Sequence, residues 1–448
     1  MNAFDWALFP KAESFLQKKL DEFLSKNSSA ATWVNEFQKK TSTRIFDWVD
    51  HMAVPLGDVD EDELLKLGFH ESKTEDDSTA LKVEGSTLFP LVLRHDKVAE
   101  LALSAEDIES FRKIHARRKN IQGLPNSGFR KLMLNGEGNF LFSIVERRGS
   151  SGYTVEDSGD IDSYVGATET LRSRRRTFDS SDEGILEAEK VLKNFESKLS
   201  KQRLADAFFR SERHYWESRN HAAKAQKDRQ DEAGGGWGNV DHHTFRSSRK
   251  NFASLIRIFE LLGLNPRERF HAGAEAGWGA QILEDANGRN VVFADVDLSE
   301  EEKDFDFAHR GLEALDKLGT VGLWVGLHGE SLLEAGMHHL AAKFRFEEVR
   351  VALEGKGVGM MKPFSNFPFL KQAFTEPEKW QVNRDKLILL LNKRQLSEEQ
   401  AAAFGRNGAV ASHLEDIQRG QGFKGFNQNS VSAIIKWTNP LAQQEIYA

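Results

Sequence analysis

An α+β architecture, with β-α-β-β-β modules in paired arrangement and added helices, is implied by three features of this chain. A strand, an amphipathic helix and three further strands can be read in that order after the glycines Gly234, Gly235 and Gly236. The same order returns, less clearly, from Met337. Helix-like stretches precede both.

The first forty residues read as helical, because Phe15, Leu16, Leu20 and Phe23 fall at helical spacing on one face. From Arg44 the texture changes to short apolar segments, 44–54 and 86–94, around an acidic, helix-like stretch at 58–67. Residues 139–146 add a strand and 149–163 read as loop. Between Glu183 and Asp231 the chain is densely charged, and Val191, Phe195 and Leu199 mark one buried face of a long helix. The three glycines that follow are read as the most flexible point, since glycine has no Cβ to restrict its backbone. A boundary between domains 1–236 and 237–448 is expected there. Beyond it, strands are expected at 239–245, 268–273, 278–284 and 290–296, with a helix at 250–262 stopped by Gly263 and Pro266. The repeat brings a strand from Met337, a helix at 346–353, then strands at 357–361 and 368–374.

A length of 448 residues exceeds one ordinary domain, and 39% apolar residues with 32 phenylalanines supply material for packed cores. Apolar runs such as 387–391 fall far short of the ~20 residues that span a bilayer. The first ten residues lack the basic start and apolar core of a signal peptide, so a cytoplasmic protein with no membrane partner is expected. The absence of cysteine removes disulfides, thiolate ligands and cysteine nucleophiles, leaving His, Asp and Glu to hold any metal. A net charge of −8 argues against nucleic acid as a partner. The one basic cluster, Arg172 with Arg174, Arg175 and Arg176, reads as a solvated face rather than a phosphate site. Oligomeric state is not legible in the sequence.

Histidine pairs open both units of the second half: His242 with His243, and His338 with His339. Adjacent side chains on a strand point to opposite faces, so one of each pair can look into a shared cavity. A carboxylate from a later strand, Glu415, would complete a facial set of two histidines and one carboxylate. Non-haem Fe(II) oxygenases use that set because it leaves positions open for substrate and oxygen. Either member of each pair is open as the ligand. Asp295 and Asp297 are alternative carboxylates, with a turn or strand-end role as the plainer reading.

Several short pieces, in order over 237–440, resemble the 2-oxoadipate dioxygenase/decarboxylase family of the vicinal-oxygen-chelate, or glyoxalase-like, superfamily. Asp241-His242-His243-Thr244-Phe245-Arg246 resembles the family's first metal-histidine motif, with a substrate-holding arginine four residues after the ligand. His339-Leu340-Ala341-Ala342 is similar to its second histidine motif, Phe369-Leu370-Lys371-Gln372 to a strand carrying a pocket glutamine, and Glu415-Asp416-Ile417-Gln418-Arg419-Gly420 to the segment with the metal glutamate. The resemblance implies Fe(II) held by His242, His339 and Glu415. It also implies a substrate carboxylate on Arg246, and Gln372 orienting a bound oxygen atom. The implied reaction takes a small 2-oxo diacid and dioxygen to a 2-hydroxy acid and carbon dioxide, as in lysine breakdown. His243 and His338 depart from the family pattern and could displace His242 and His339.

The first half echoes these motifs in Val49-Asp50-His51-Met52-Ala53-Val54 and Glu146-Arg147-Arg148-Gly149, but Pro55 stands where the substrate arginine would be. A degenerate copy is expected, with a site shared between halves, using His51 and Glu146 with His242, as the rival. The superfamily also hosts isomerases, lyases and ring-cleaving dioxygenases, and a non-catalytic acid-binding protein is the remaining alternative.

Overall fold

The computed structural model describes residues 6–155, 159–273, 276–427 and 439–441. Part of the N-terminal stretch read for a targeting signal and most of the chain after 427 lie outside the described residues. The expected α+β class is present as two eight-stranded mixed sheets, each built from two paired β-α-β-β-β modules.

The first sheet contains β1 (Val49–Pro55), β2 (Phe69–Ser72), β3 (Ala80–Val83), β4 (Leu91–Arg94), β5 (Ala99–Ser104), β6 (Ile121–Gln122), β7 (Phe129–Glu137) and β8 (Phe140–Arg147), in the order β2-β3-β4-β1-β5-β8-β7-β6. The second contains β9 (Val240–Arg246), β10 (Leu264–His271), β11 (Trp278–Asp285), β12 (Val291–Asp297), β13 (His339–Ala342), β14 (Ser365–Phe367) and β15 (Leu370–Phe374). A small antiparallel pair, β16 (Lys379–Trp380) with β17 (Ala409–Val410), precedes its last strand, β18 (His413–Arg419). Its order, β10-β11-β12-β9-β13-β18-β15-β14, repeats that of the first sheet. In each module the first and last strands pair in parallel, β1 with β4, β5 with β8, β9 with β12 and β13 with β18. A parallel pair needs a crossover, and each crossover carries one module helix: Glu61–Lys66, Ile108–His115, Phe252–Leu261 or Phe346–Glu354.

One face of each sheet is covered by helices. Helices Pro10–Lys26 and Ser28–Thr41 bury Leu16, Leu20, Val34 and Phe37 against Met52, Val54, Leu101, Leu103, Phe142 and Ile144 of the first sheet. The expected single helix breaks at Asn27, whose side chain caps the second one through the Ala30 amide. The expected long helix after Glu183 is three: Ser181–Glu196, Lys201–Glu217 and His221–Glu232. With Ile161–Ser173 they pack against Phe245, Val292, Ala294, Leu340 and Leu414 of the second sheet.

Three expectations are corrected by the structure. Arg174 and Arg176 are not solvated; both are buried and clamp Glu212, with Nη1 of Arg174 2.5 Å and Nη2 of Arg176 2.9 Å from Oε1. The glycines after Glu232 are tightly packed rather than a loose joint. A Cβ on Gly235 would lie 2.7 Å from the Trp48 ring, and Gly236 has φ +53°. In 357–361 only an isolated bridge forms, Met360 with Thr375, and the edge strand is β14 instead. Among the described residues no helix is long and apolar enough to cross a membrane.

Candidate metal centre

Alternation on β9 sends His243 and Phe245 to the helices and His242, Thr244 and Arg246 to the opposite, concave face. Phe245 fixes this choice, because it packs in the core against Phe208 and Phe259. His243 stacks on Phe209 at 4.6 Å, and its Nε2 lies 3.2 Å from Arg213 Nη1, so it is a helix-facing residue and not a donor to the concave face. Register carries the concave face across the sheet. Thr244 is opposite His339, His339 opposite His413, Ala341 opposite Glu415, and Ile417 opposite Gln372.

The structure therefore brings His242, His339 and Glu415 together, all buried, with one donor atom from each within 4.8 Å of the others. Nε2 of His242 is 3.2 Å and Nε2 of His339 3.1 Å from the same oxygen, Oε2 of Glu415. Two histidines with one glutamate, their donor atoms turned to one point, are a donor set that can hold a divalent metal. Burial alone would raise the Glu415 carboxyl, but His242 and His339 outweigh it and hold the group below the ordinary carboxylate range. His242 is raised despite burial, by Glu415 and Asp241.

A second ring of contacts fixes these donors. Asp241 is kept ionised by Arg419, whose Nε and Nη2 lie 2.8 and 3.0 Å from its two oxygens, against a burial effect that would raise it. An ionised carboxylate only accepts, so the 2.9 Å contact places a proton on Nδ1 of His242 and leaves Nε2 as the nitrogen turned to Glu415 and available to a metal. Gln372 donates from Nε2 to Oε1 of Glu415 at 2.8 Å, while its Oε1 accepts from the Ser365 hydroxyl at 3.1 Å. Phe293 and Phe426 close over the His242 ring, with centroids at 4.8 and 5.1 Å.

Arg246 lies on the same face, buried, with its guanidinium 5.3 Å from the Trp324 ring centre. Its Nε and Nη1 have no hydrogen-bond partner among the described residues, and Asp295 Oδ2 stands 3.7 Å from Nε, outside hydrogen-bond reach. Burial lowers Arg246 to about 10. Burial also pushes Asp295 up to about 7, with Arg246 opposing. Asp297 is not at the centre. Its oxygens accept from the Gly319, Val321 and Gly322 amides at 2.8–2.9 Å and cap the helix Thr320–His328.

The strand register does not bring Glu146 to His51. His51 shares a face with Ala102 and Ser143, whereas Glu146 lies on the helix side and accepts from the Ile108 amide at 2.8 Å. A cavity of about 940 Å³ between the sheets is lined by Asp50, Glu106, Arg213, Asp241, Arg289 and Arg419, among others, and by none of the three candidate ligands. One residue of the concave face, His413, was missed from sequence. It stands two positions before Glu415 on β18, the spacing that puts two strand residues on one face.

No family model matches the sequence, and no curated protein matches it. Among solved structures, a mutant 4-hydroxymandelate synthase from Streptomyces coelicolor is similar at 13% identity over 90% of this chain and 99% of that one, with a TM-score of 0.28. A putative hydrolase from Shewanella frigidimarina shares 16% identity over 42% of this chain and 85% of its own, at 0.29. Methylmalonyl-CoA epimerase from Mycobacterium tuberculosis shares 11% over 41% and 89%, at 0.23. With TM-scores this low, none of them bears on what this chain does.

Proposed function

We propose that the chain is a non-haem Fe(II) oxygenase that oxidatively decarboxylates a 2-oxo diacid, of the 2-oxoadipate kind, to a 2-hydroxy acid. His242, His339 and Glu415 would hold the metal. The observation that carries this reading is the buried convergence of two imidazoles on one carboxylate. When bound, iron supplies a template for the 2-oxo acid and activation of dioxygen. The chain's own residues do the rest. Asp241 and Arg419 lock the His242 tautomer, and Gln372 holds Glu415 in place through one N–H of its amide, leaving the other to orient a bound oxygen atom. Arg246 offers two nitrogens of a buried guanidinium, Nε and Nη1, that have no hydrogen-bond partner among the described residues, which suits a substrate carboxylate. Phe293 and Phe426 keep water from the His242 ring.

One observation favours a second reading. Asp295, pushed to about 7 beside Arg246, is placed to move a proton at neutral pH, as an isomerase or epimerase of the same fold would require.

Elemental analysis of the chain loaded anaerobically with Fe(II), beside His242→Ala, His339→Ala and Glu415→Ala, tests the centre; about one iron per chain, lost in all three, is expected. Oxygen uptake that depends on a 2-oxo diacid, with carbon dioxide released, separates the two chemistries. Metal binding without such uptake, together with substrate proton exchange lost in Asp295→Asn, would favour the second. A chain that binds no metal overturns both.

A further inference from the structure

We propose that His338, His339 and His413 form a second metal berth, made of imidazoles alone, which shares His339 with the first and takes copper or zinc in preference to iron or manganese. It rests on the Fe(II) reading only through His339.

His413 faces His339 across the parallel β13–β18 pair. Its ring centroid lies 4.8 Å from that of His339 and 4.7 Å from that of His338. One nitrogen from each of the three lies within 4.8 Å of the others, and all three side chains are buried. Neither nitrogen of His413, nor Nε2 of His338, has a hydrogen-bond partner among the described residues. Leaving a buried polar atom unpaired costs about 1–3 kcal/mol, so unpartnered imidazole nitrogens on two neighbouring buried rings, each offering one donor within reach of His339, mark a place built for a ligand. A set of neutral imidazoles supplies lone pairs and no charge. That suits copper and zinc, whereas a carboxylate in the set is what iron and manganese gain from Glu415.

The two berths are alternatives because of His339. A neutral imidazole has one proton and one lone pair, so it ligates on one side at a time. Its Nε2 is 3.1 Å from Glu415 Oε2 and 2.8 Å from Thr244 Oγ1, and its Nδ1 is 3.0 Å from Nδ1 of His338. With the ion on the Nε2 side, the Nδ1–H is donated to His338. With the ion on the His338 side, the Nε2–H is donated to Thr244 or Glu415. Both tautomers are therefore satisfied, and copper or zinc in the second berth withdraws His339 from the first.

The test follows Cu(II) and Mn(II) binding separately by electron paramagnetic resonance in the full chain, Glu415→Gln, His413→Leu and His413→Asn, with thermal unfolding as the folding control. Copper in the parent is expected to show coupling to three nitrogens. Glu415→Gln should lose Mn(II) by about a hundredfold or more yet keep Cu(II) within about threefold. Both His413 variants should weaken Cu(II) by at least about tenfold and leave a two-nitrogen pattern, with Mn(II) within about threefold of the parent. Copper affinity unmoved by both His413 variants, or lost in Glu415→Gln together with Mn(II), overturns the second berth. Failure of the parent to bind Mn(II) while copper behaves as expected would sink the first centre and leave this one standing.

Discussion

The two sheets share strand order and register, so every position of the candidate centre has a counterpart in the first half, and the differences are concentrated there. His51 matches His242, Glu100 matches His339, and Ser143 matches Glu415. Lys131 stands where the second sheet has Gln372, Leu141 where it has His413, Arg94 where it has Asp295, and Pro55 where it has Arg246. The framework is kept: Asp50 holds Nδ1 of His51 at 2.7 Å and is itself clamped by Arg147, as Asp241 is by Arg419. The buried carboxylate of the first sheet is also neutralised, but by the chain. Lys131 Nζ lies 2.5 Å from Glu100 and Arg94 Nη1 3.6 Å, and Lys131 and His51 bring the carboxyl below its ordinary range although burial would raise it. One electrostatic demand, a cation beside a buried carboxylate, is met in the first half by an ammonium. In the second half the matching position holds an uncharged amide, which leaves that demand to an added ion.

The comparison breaks most severely if the second half is given the first half's residues. Glu415→Ser, or Gln372→Lys with its ammonium beside Glu415, is expected to cut metal affinity by more than about a hundredfold and abolish turnover while the chain still folds; elemental analysis and unfolding curves check this. The converse change in the first half acts on stability. Lys131→Met removes the nearest cation from the Glu100 carboxylate, leaving Arg94 at 3.6 Å and the neighbouring His51, and a loss of about 3 kcal/mol in urea unfolding is expected, with metal content unchanged. A smaller effect separates the two aspartates. Asp241→Asn loosens the His242 tautomer and should cost about 10- to 100-fold in metal affinity, whereas Asp50→Asn should cost none.

Histidine pairs opening two similar units made the second half's centre visible in the sequence, and the family resemblance picked out His242, His339 and Glu415; in the fold, Phe245 and Leu340 pack inward, so His242 and His339 face out. It could not choose within each histidine pair without that register. His413 was passed over because a single histidine carries no spacing of its own until Glu415 is chosen. The first half was harder to read for a physical reason. Strand β5, Ala99–Ser104, buries Glu100 among apolar residues, and the Lys131 that makes this tolerable is 31 positions away. A period-two pattern is lost when a buried position carries a charge whose partner is distant. The helix Thr320–His328 was invisible for the opposite reason, since it is buried nearly all round and shows no amphipathic stripe.

Acid should separate the halves by the least, and in a stated direction. His243, His328, His338 and His413 are fully buried histidines held below the ordinary value, burial being the main cause, and all four lie in the second half. His328, lowered to about 4, donates Nε2–H to the Val410 carbonyl at 2.9 Å and lies outside both donor sets. An imidazole whose value in the fold is below its unfolded value of 6.5 leaves stability untouched above that value, and takes it away as pH falls toward 4, because the unfolded chain gains the proton first. At pH 5.5 this amounts to about 1.4 kcal/mol for His328 alone. His328→Asn keeps a donor for Val410 and removes the proton linkage, so between pH 8 and 5.5 its urea midpoint should fall less than that of the parent. If both fall equally, the acid sensitivity resides in groups other than His328, and burial at this position does not hold the imidazole neutral.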